Sequence, residues 1–578
     1  MPGYILVTAG LGFVSLMRQY PGLPLVDYGI RTFLLFSLYG VGEPDNFARS
    51  LNPGLHAARW LAAVAVVVAG TAAVHHLLGE HWTAARLRFT RRHVIVCGLG
   101  AKGRRLAARL HEKGRRVAAI ESGTEDEAGV AGSRALVLHG DATEAGPLLR
   151  ANLRTASHLV AFSGSDRTNI AIALLAADLA RLHRRRKAPL RCAVHLTSSR
   201  HRELLQRSAL FPRDRHAEVR FFNVEELTAR LLLTRHLPAR GSARDAAPGV
   251  RPHLVLVGFG PLGESVAVQY ALLAHHPHAG RPRVTVVSAA PERDERRFLR
   301  RYPHFPQACG LEFVEGSAEA GNLGALPVFA SPGDDPWRDI VVAGEDDVAS
   351  LLTALELLEA YPALDAPVHL RMRDAAGLRD VAGRAAVVGG RGTLAPFGQL
   401  EEVCSPEIVL EGRLDLLARV LHRHYRKLAT APGVAPSPSG SLRPWRELDE
   451  DLREANRRQA DHHRIKLRDI GAHVATRAKG EEPDFEFTPD ELAGLAQAEH
   501  ARWCAERHLA GWTHGSVRDP QSRTHPLLVP WAALDEANRA KNRESVRLLP
   551  ALLHAAGRKI ERLAGTLPAP APGVLLPR

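Results

Sequence analysis

Two stretches of this chain share one form, in which a run of apolar residues breaks into three glycines spaced G-x-G-x-x-G. His93-Val94-Ile95-Val96-Cys97 leads into Gly98-Leu99-Gly100-Ala101-Lys102-Gly103, and His253-Leu254-Val255-Leu256-Val257 leads into Gly258-Phe259-Gly260-Pro261-Leu262-Gly263. A strand that turns through this spacing into a helix leaves few alternatives. The first glycine permits the tight turn, the second lets backbone approach a pyrophosphate, and the third lets the helix pack on the strand, so the helix N-terminus faces the phosphates.

The text around each copy agrees with that reading. After the first turn a second apolar run, 116–120, ends at Glu121, placed to accept hydrogen bonds from an adenosine ribose and so to favour NAD over its 2′-phosphorylated relative. Further strands are expected at 135–138, 158–162, 191–195 and 218–222, alternating with helices, which predicts a parallel doubly wound sheet. The second copy predicts strands at 283–287, 311–315, 339–343 and 367–372. Its second strand ends at Ser288 rather than an acid and its third-strand loop reads Glu315-Gly316-Ser317-Ala318, which leaves two readings open for the second copy, a second dinucleotide site and a structural partner for the first.

The 578 residues suggest about four units at roughly 150 residues each. Apolar residues at 45% and charged residues at 24% are ordinary for globular domains. A formal net charge of +14 would attract anionic lipid or nucleic acid, but the basic residues are mostly Arg in Ala-, Val- and Leu-rich text, and no nucleic-acid partner is expected. The five cysteines form no CxxC pair, which argues against a zinc site or a disulfide scaffold and for a reducing compartment.

The first 92 residues read as a membrane anchor. Residues 60–79 contain no formally charged side chain and, at about 1.5 Å per residue, are long enough to cross a hydrocarbon core of about 30 Å. Arg86, Arg88, Arg91 and Arg92 follow and place that end in the cytoplasm, with most of the chain beyond it. Residues 2–17 are expected to form a first, marginal span, and 26–42 an interfacial or re-entrant segment. The layout matches a two-helix cation channel, yet Tyr39-Gly40-Val41-Gly42-Glu43 is a poor selectivity filter. A plasma-membrane (inner-membrane) location in contact with lipid follows.

The first glycine turn, Glu121, His139-Gly140-Asp141-Ala142-Thr143 and Ser165-Asp166-Arg167-Thr168-Asn169 together resemble the TrkA-N or RCK regulators of potassium transport. That resemblance implies a site for NAD or a related adenine nucleotide lined by Gly98, Leu99, Gly100, Ala101, Lys102, Gly103, Glu121, Asp141, Ala142 and Asp166, with Gly258, Gly260 and Gly263 as the corresponding turn of the second lobe. Asp141 and Asp166 are equally good helix caps.

From Pro444 onward the text is helical. Residues 498–507, Gly511-Trp512-Thr513-His514-Gly515 and 524–531 resemble the RyR repeat of ryanodine receptors and bacterial proteins. The resemblance implies a small-ligand sensor, with His500, Trp503, Trp512 and His525 as candidate contacts and a ligand of unknown identity. His500, Glu506 and His508 do not have zinc-protease spacing.

The expected organisation is a two-helix anchor over 1–92, Rossmann domains over 93–240 and 251–428, a linker over 429–443, an all-α RyR domain over 444–566 and a disordered tail over 567–578. The expected function is a membrane-anchored, nucleotide-binding sensor linked to ion transport, forming a homo-oligomer and not an enzyme. A channel subunit gated by the same lobes and an NAD-dependent oxidoreductase are the alternatives; for the latter no Tyr-x-x-x-Lys donor and no separate substrate domain are found.

Overall fold

A computed structural model describes residues 2–36, 53–123, 135–183, 188–208, 210–211, 215–237, 250–316, 323–330, 338–362, 364, 366–373, 393–429, 440–478 and 480–563. The Tyr39 to Glu43 text, most of both Pro- and Gly-rich linkers, Ser317 and Ala318, and the tail after Thr566 lie outside them.

The first sheet contains β1 (Val94–Cys97), β2 (Val117–Glu121), β3 (Leu136–His139), β4 (His158–Ala161), β5 (Leu190–His195) and β6 (Ala217–Phe222), in the order β3-β2-β1-β4-β5-β6. Every pairing is parallel. Near-continuous Val, Ile, Ala and Cys text in β1 is the mark of a strand covered on both faces, and all four of its residues are buried. The second sheet repeats the arrangement with β7 (His253–Val257), β8 (Arg283–Ser288), β9 (Gly310–Glu315), β10 (Arg338–Val342), β11 (Val368–Arg371) and β12 (Leu394–Phe397), ordered β12-β11-β10-β7-β8-β9.

The two lobes exchange segments. The helix Val224–Leu231 leaves the first sheet, and Ala229, Leu232, Leu233 and Leu237 enter the hydrophobic core of the second lobe with Leu262, Val266 and Phe298. In return Leu400, Val403, Cys404, Ile408 and Val409, which follow the last strand of the second sheet, share a core with Leu99, Leu106, Leu110, Phe162 and Phe222 of the first. Each fully buried aliphatic chain contributes about 1.5–3 kcal/mol, so this interface has the character of a domain interior rather than a transient contact.

At the N-terminus, helices Pro2–Gln19, Leu25–Phe36 and Pro53–Phe89 form a small bundle around Leu16, Tyr28, Leu35, Leu55, Ala58 and Ala62. Among the described residues no helix is long and apolar enough to cross a membrane. The side chains of 70–82, which include half of the predicted span, lie outside the described residues. The last of these helices runs directly into the first lobe: Leu87 is in that lobe's core, and the Asn152 amide donates to the carbonyls of Leu87, Arg88 and Thr90.

The C-terminal module is built on helices Glu450–Asp469, Pro489–Leu509 and Glu536–Arg547. The expectation of an all-α module is corrected here by two small sheets. β13 (Ala472–Thr476) pairs antiparallel with β16 (Arg558–Arg562), and β14 (Thr513–His514) pairs with β15 (Thr524–His525). Val474 and Ile560 face each other in the first of these and cover the core at Leu467, Leu495 and Leu553.

Candidate functional site

At the end of β1 the chain turns at Gly98, whose φ is +94°. A Cβ there would lie 2.9 Å from the Phe162 backbone, so the turn needs glycine both for its left-handed conformation and for the close approach of β4. A Cβ on Gly103 would collide with the Gly98 carbonyl oxygen, which fixes the helix Ala101–Glu112 against the turn. Gly100 differs: nothing lies within 4 Å of the position its Cβ would take. Open space therefore lies at the middle glycine, at the helix N-terminus, where a phosphate group gains most from the unpaired N–H groups.

Glu121 ends β2 beside the turn. Its carboxylate accepts from the Leu99 N–H at 2.5 Å, from Ser122 N–H at 2.9 Å and from Gly123 N–H at 3.2 Å. A carboxylate has about four lone-pair sites, so about one remains for a further donor such as a ribose hydroxyl. The site residues therefore fit an adenine dinucleotide.

Asp141 accepts from the Thr143 N–H at 2.8 Å, and that bond holds its carboxyl below the ordinary value. Ala142 is buried in the core of the lobe. Asp166 accepts from Thr197 N–H at 2.7 Å, Ser198 N–H at 3.2 Å and His201 Nδ1 at 2.9 Å. Burial opposes its ionisation, but the bonds from Thr197, His201 and Ser198 outweigh burial and lower its pKa. Asp166 thus ties the loop after β4 to the loop after β5.

Around two residues that the motifs name, Asn169 and Lys102, stand three that they do not, His195, Glu225 and Arg371. Asn169 is fully buried, accepts from Ser163 N–H and donates to the carbonyls of Ser163 and His195, fixing the ends of β4 and β5 together. The Lys102 ammonium donates to His195 Nε2 at 3.4 Å. Burial, with Lys102 beside it, pushes His195 down to about 3, so the imidazole is neutral and accepts that bond. From the second lobe, Arg371 reaches across to Glu225, with both carboxylate oxygens at 2.7 and 2.6 Å.

The second turn has the same backbone and a different environment. Gly258 has φ +90°, and a Cβ on Gly263 would be 2.5 Å from the Gly258 carbonyl oxygen. Above Gly260, however, lies the Glu345 carboxylate, with Oε1 3.4 Å from the Cβ position. The Ser288 hydroxyl donates to Asp294 at 2.5 Å, and Phe259 is enclosed by Phe298 and Phe313. A carboxylate stands where the first turn has open space.

In the helical module, Trp503, Trp512 and His525 come together. His525 meets Trp503 edge-on at 5.0 Å and Trp512 at 6.3 Å, and the Arg507 guanidinium lies 5.8 and 5.6 Å from the two indole rings. His500 joins them through Trp503, on which its ring stacks at 5.9 Å, and is buried with Nε2 donating to the Val529 carbonyl at 2.8 Å. Among the described residues no group of three His, Cys, Asp or Glu side chains is placed to hold a metal ion.

Residues 94–210 match the TrkA-N domain family and residues 490–562 match the RyR domain family. Among solved structures, GsuK bound to ADP is 15% identical and covers 69% of this chain and 93% of that chain, with a TM-score of 0.36. The GsuK channel bound to NAD is 13% identical, over 72% of this chain and 83% of that chain, at 0.38. The GsuK RCK domain is 12% identical, over 57% and 79%, at 0.36.

Proposed function

We propose that the chain is a membrane-anchored regulator of potassium or other ion transport that binds NAD or a related adenine nucleotide in its first lobe. The observation that carries this reading is the open middle glycine, Gly100, at a helix N-terminus with the Glu121 carboxylate beside it, within the segment that matches the TrkA-N family. Asp141, Ala142 and Asp166 shape the floor of that site. The second lobe is a structural partner: Glu345 above Gly260 and the Ser288 hydroxyl in place of the ribose-binding acid both oppose a dinucleotide there. The role is regulatory rather than enzymatic, and further copies of the chain complete the assembly as a homo-oligomer.

The RyR module serves as a small-ligand sensor through Trp503, Trp512 and His525, with His500 stacked on Trp503.

In calorimetric titrations of the full chain in detergent, Glu121→Ala is expected to weaken nucleotide binding by about tenfold, corresponding to about 1–2 kcal/mol of lost hydrogen bonding. Equal affinities for the two forms would overturn the assignment.

The membrane part of the reading rests on an N-terminal bundle that is apolar outside as well as inside. Val7, Leu25, Val26, Phe33, Trp60 and Val67 are all exposed, a pattern suited to lipid. Protease added to sealed inside-out vesicles is expected to digest the two lobes and the module, because the arginines in the last turn of the third helix and just beyond it, Arg86, Arg88, Arg91 and Arg92, set the orientation. Protection of that bulk would exclude the orientation.

A further inference from the structure

The carboxyl ends of the two sheets meet at the first glycine turn. Arg371 is the last residue of β11 and Arg373 follows it, while Glu225 lies just beyond β6. Leu99 of the turn itself shares a core with Leu400, Val403 and Cys404 of the second lobe. A Cβ on Gly398 would sit 3.1 Å from Thr228 of the first lobe and 3.7 Å from the Arg371 side chain, so the lobes are in close contact here. Ion pairs between Arg105 and Glu401, Lys113 and Glu407, and Arg235 and Glu402 hold the same seam.

Three cations converge on this seam. Lys102 belongs to the turn; no carboxylate lies within ion-pairing distance of its ammonium among the described residues, and its nearest polar partner is the neutral His195. Burial lowers its pKa; Glu225 opposes that shift, and Arg371 and Arg373 reinforce it from the second lobe. The Arg371 side chain is 5% exposed, and its Nε is buried with no hydrogen-bond partner among the described residues although its Nη2 is bound to Glu225. Arg373 donates to the Glu345 carbonyl and stands 3.9 Å from Asp347, with its side chain 44% exposed. Glu225 and Asp347 are thus the carboxylates set against the three cations, and the cations outnumber them. An orphaned buried donor in a cluster whose cations outnumber its carboxylates is what a missing anion leaves behind.

We propose that Lys102, Arg371 and Arg373 form a phosphate clamp between the lobes, so that the second lobe supplies cations to the diphosphate of a nucleotide held on the first lobe's glycine turn. This rests on the nucleotide reading above and adds to it. The ligand class is an adenine nucleotide with at least two phosphates, because one charge at the helix N-terminus leaves the interlobe cations unsatisfied. The clamp makes lobe pairing and nucleotide binding mutually dependent: a ligand that touches both lobes favours the paired state by its differential affinity for it.

The test titrates the full chain with ADP and with adenosine, which lacks the phosphates. Arg373→Ala, at a half-exposed side chain, is expected to weaken ADP binding by about tenfold and to leave adenosine binding unchanged, as loss of a charge-assisted contact to phosphate requires. Arg371→Ala alone would strand Glu225, so the second variant is Arg371→Ala combined with Glu225→Ala, expected to act in the same direction. ADP affinity unchanged in both variants, with Glu121→Ala still weakening it, would overturn the clamp and leave the nucleotide site standing. No binding of ADP or NAD to the wild type would remove both.

Discussion

A chain carrying Gly103→Ala is expected to melt its first lobe well below the wild-type temperature, whereas Gly100→Ala is expected to fold as the wild type does and to lose its nucleotide. The added methyl at position 103 falls on the Gly98 carbonyl oxygen, which belongs to backbone and has no flexible end to swing away. The helix Ala101–Glu112 must then move off β1, opening a core in which Leu106, Ala107 and Leu110 are fully buried. Overpacking of this kind costs about 1–3 kcal/mol, or roughly 3–10 °C in melting temperature for a lobe of this size. At Gly100 the backbone has φ −58° and ψ −179°, which alanine adopts without strain, and the methyl projects into open space. It fills the room a pyrophosphate would take, and an affinity loss of about tenfold or more is expected. Calorimetric melting and nucleotide titration on the same two variants separate these effects. Wild-type melting of Gly103→Ala would contradict the packing described, and wild-type affinity in Gly100→Ala would mean that the phosphates lie elsewhere.

The contrast between those glycines is legible in the amino-acid sequence, because each has a mechanical duty that the spacing encodes. So are most strands. The expected runs at 158–162 and 283–287 correspond to β4 and β8 within a residue at either end, since buried parallel strands are written as near-continuous apolar text. β12 is hidden for a local reason: Leu394–Phe397 carries Pro396, which cannot donate to a ladder, and it is tolerated because β12 is the edge strand. β13 and β16 are masked by their shortness and mixed polarity, and each acquires strand character only by pairing with the other across the module.

The site divides in the same way. Glu121 and the glycine turn are local text. Arg371 and Glu225 are one pair among 76 basic and 62 acidic residues, and nothing within a few positions of either marks it as interlobe. The exchange of segments between lobes is likewise silent in sequence, because a helix whose apolar face covers a foreign core has the same periodicity as one that covers its own. Asp166 shows the converse. Its position in the motif suggests the nucleotide, while the loop after β5 takes up its carboxylate through two backbone N–H groups and His201.

The largest loss of stability is expected from Arg230→Ala, because this side chain joins three parts of the molecule. Arg230 lies on the helix that leaves the first lobe and is 8% exposed. Its Nε and Nη2 donate to both oxygens of Asp461 in the RyR-side helix, at 2.5 and 3.0 Å, and its Nη1 donates to Asp415 of the second lobe's trailing segment at 3.1 Å. Arg457 binds the other Asp415 oxygen at 3.0 Å and also holds Glu450 and Glu454, while Arg202 pairs with Glu226 of the first lobe. Removing one partner from a buried network strands the others at a cost of about 3–5 kcal/mol, and Arg230→Lys is expected to fall between variant and wild type because an ammonium cannot make the bidentate contact. The pH dependence distinguishes this from a generic packing defect. In the wild type, burial raises the Asp415 and Glu454 carboxyls, but Arg457 and Arg230 on Asp415, and Arg457 and Arg202 on Glu454, outweigh it and hold both low, Glu454 at about 2. Their contribution is complete above the unfolded values near about 4 and is lost as pH falls through the lowered folded values. Asp461 runs the other way, since burial outweighs Arg230 and raises it, but it is one group against two. Wild-type stability should therefore fall on acidification below about pH 4. In Arg230→Ala, Asp461 has lost its bidentate partner and Asp415 one of its two, so protonation relieves the stranded charge and mild acid should recover part of the lost stability. Denaturant melts of both proteins at pH 7, 5 and 3.5 read the two slopes, and parallel slopes would show that Arg230 does not hold the module to the lobes through these carboxylates.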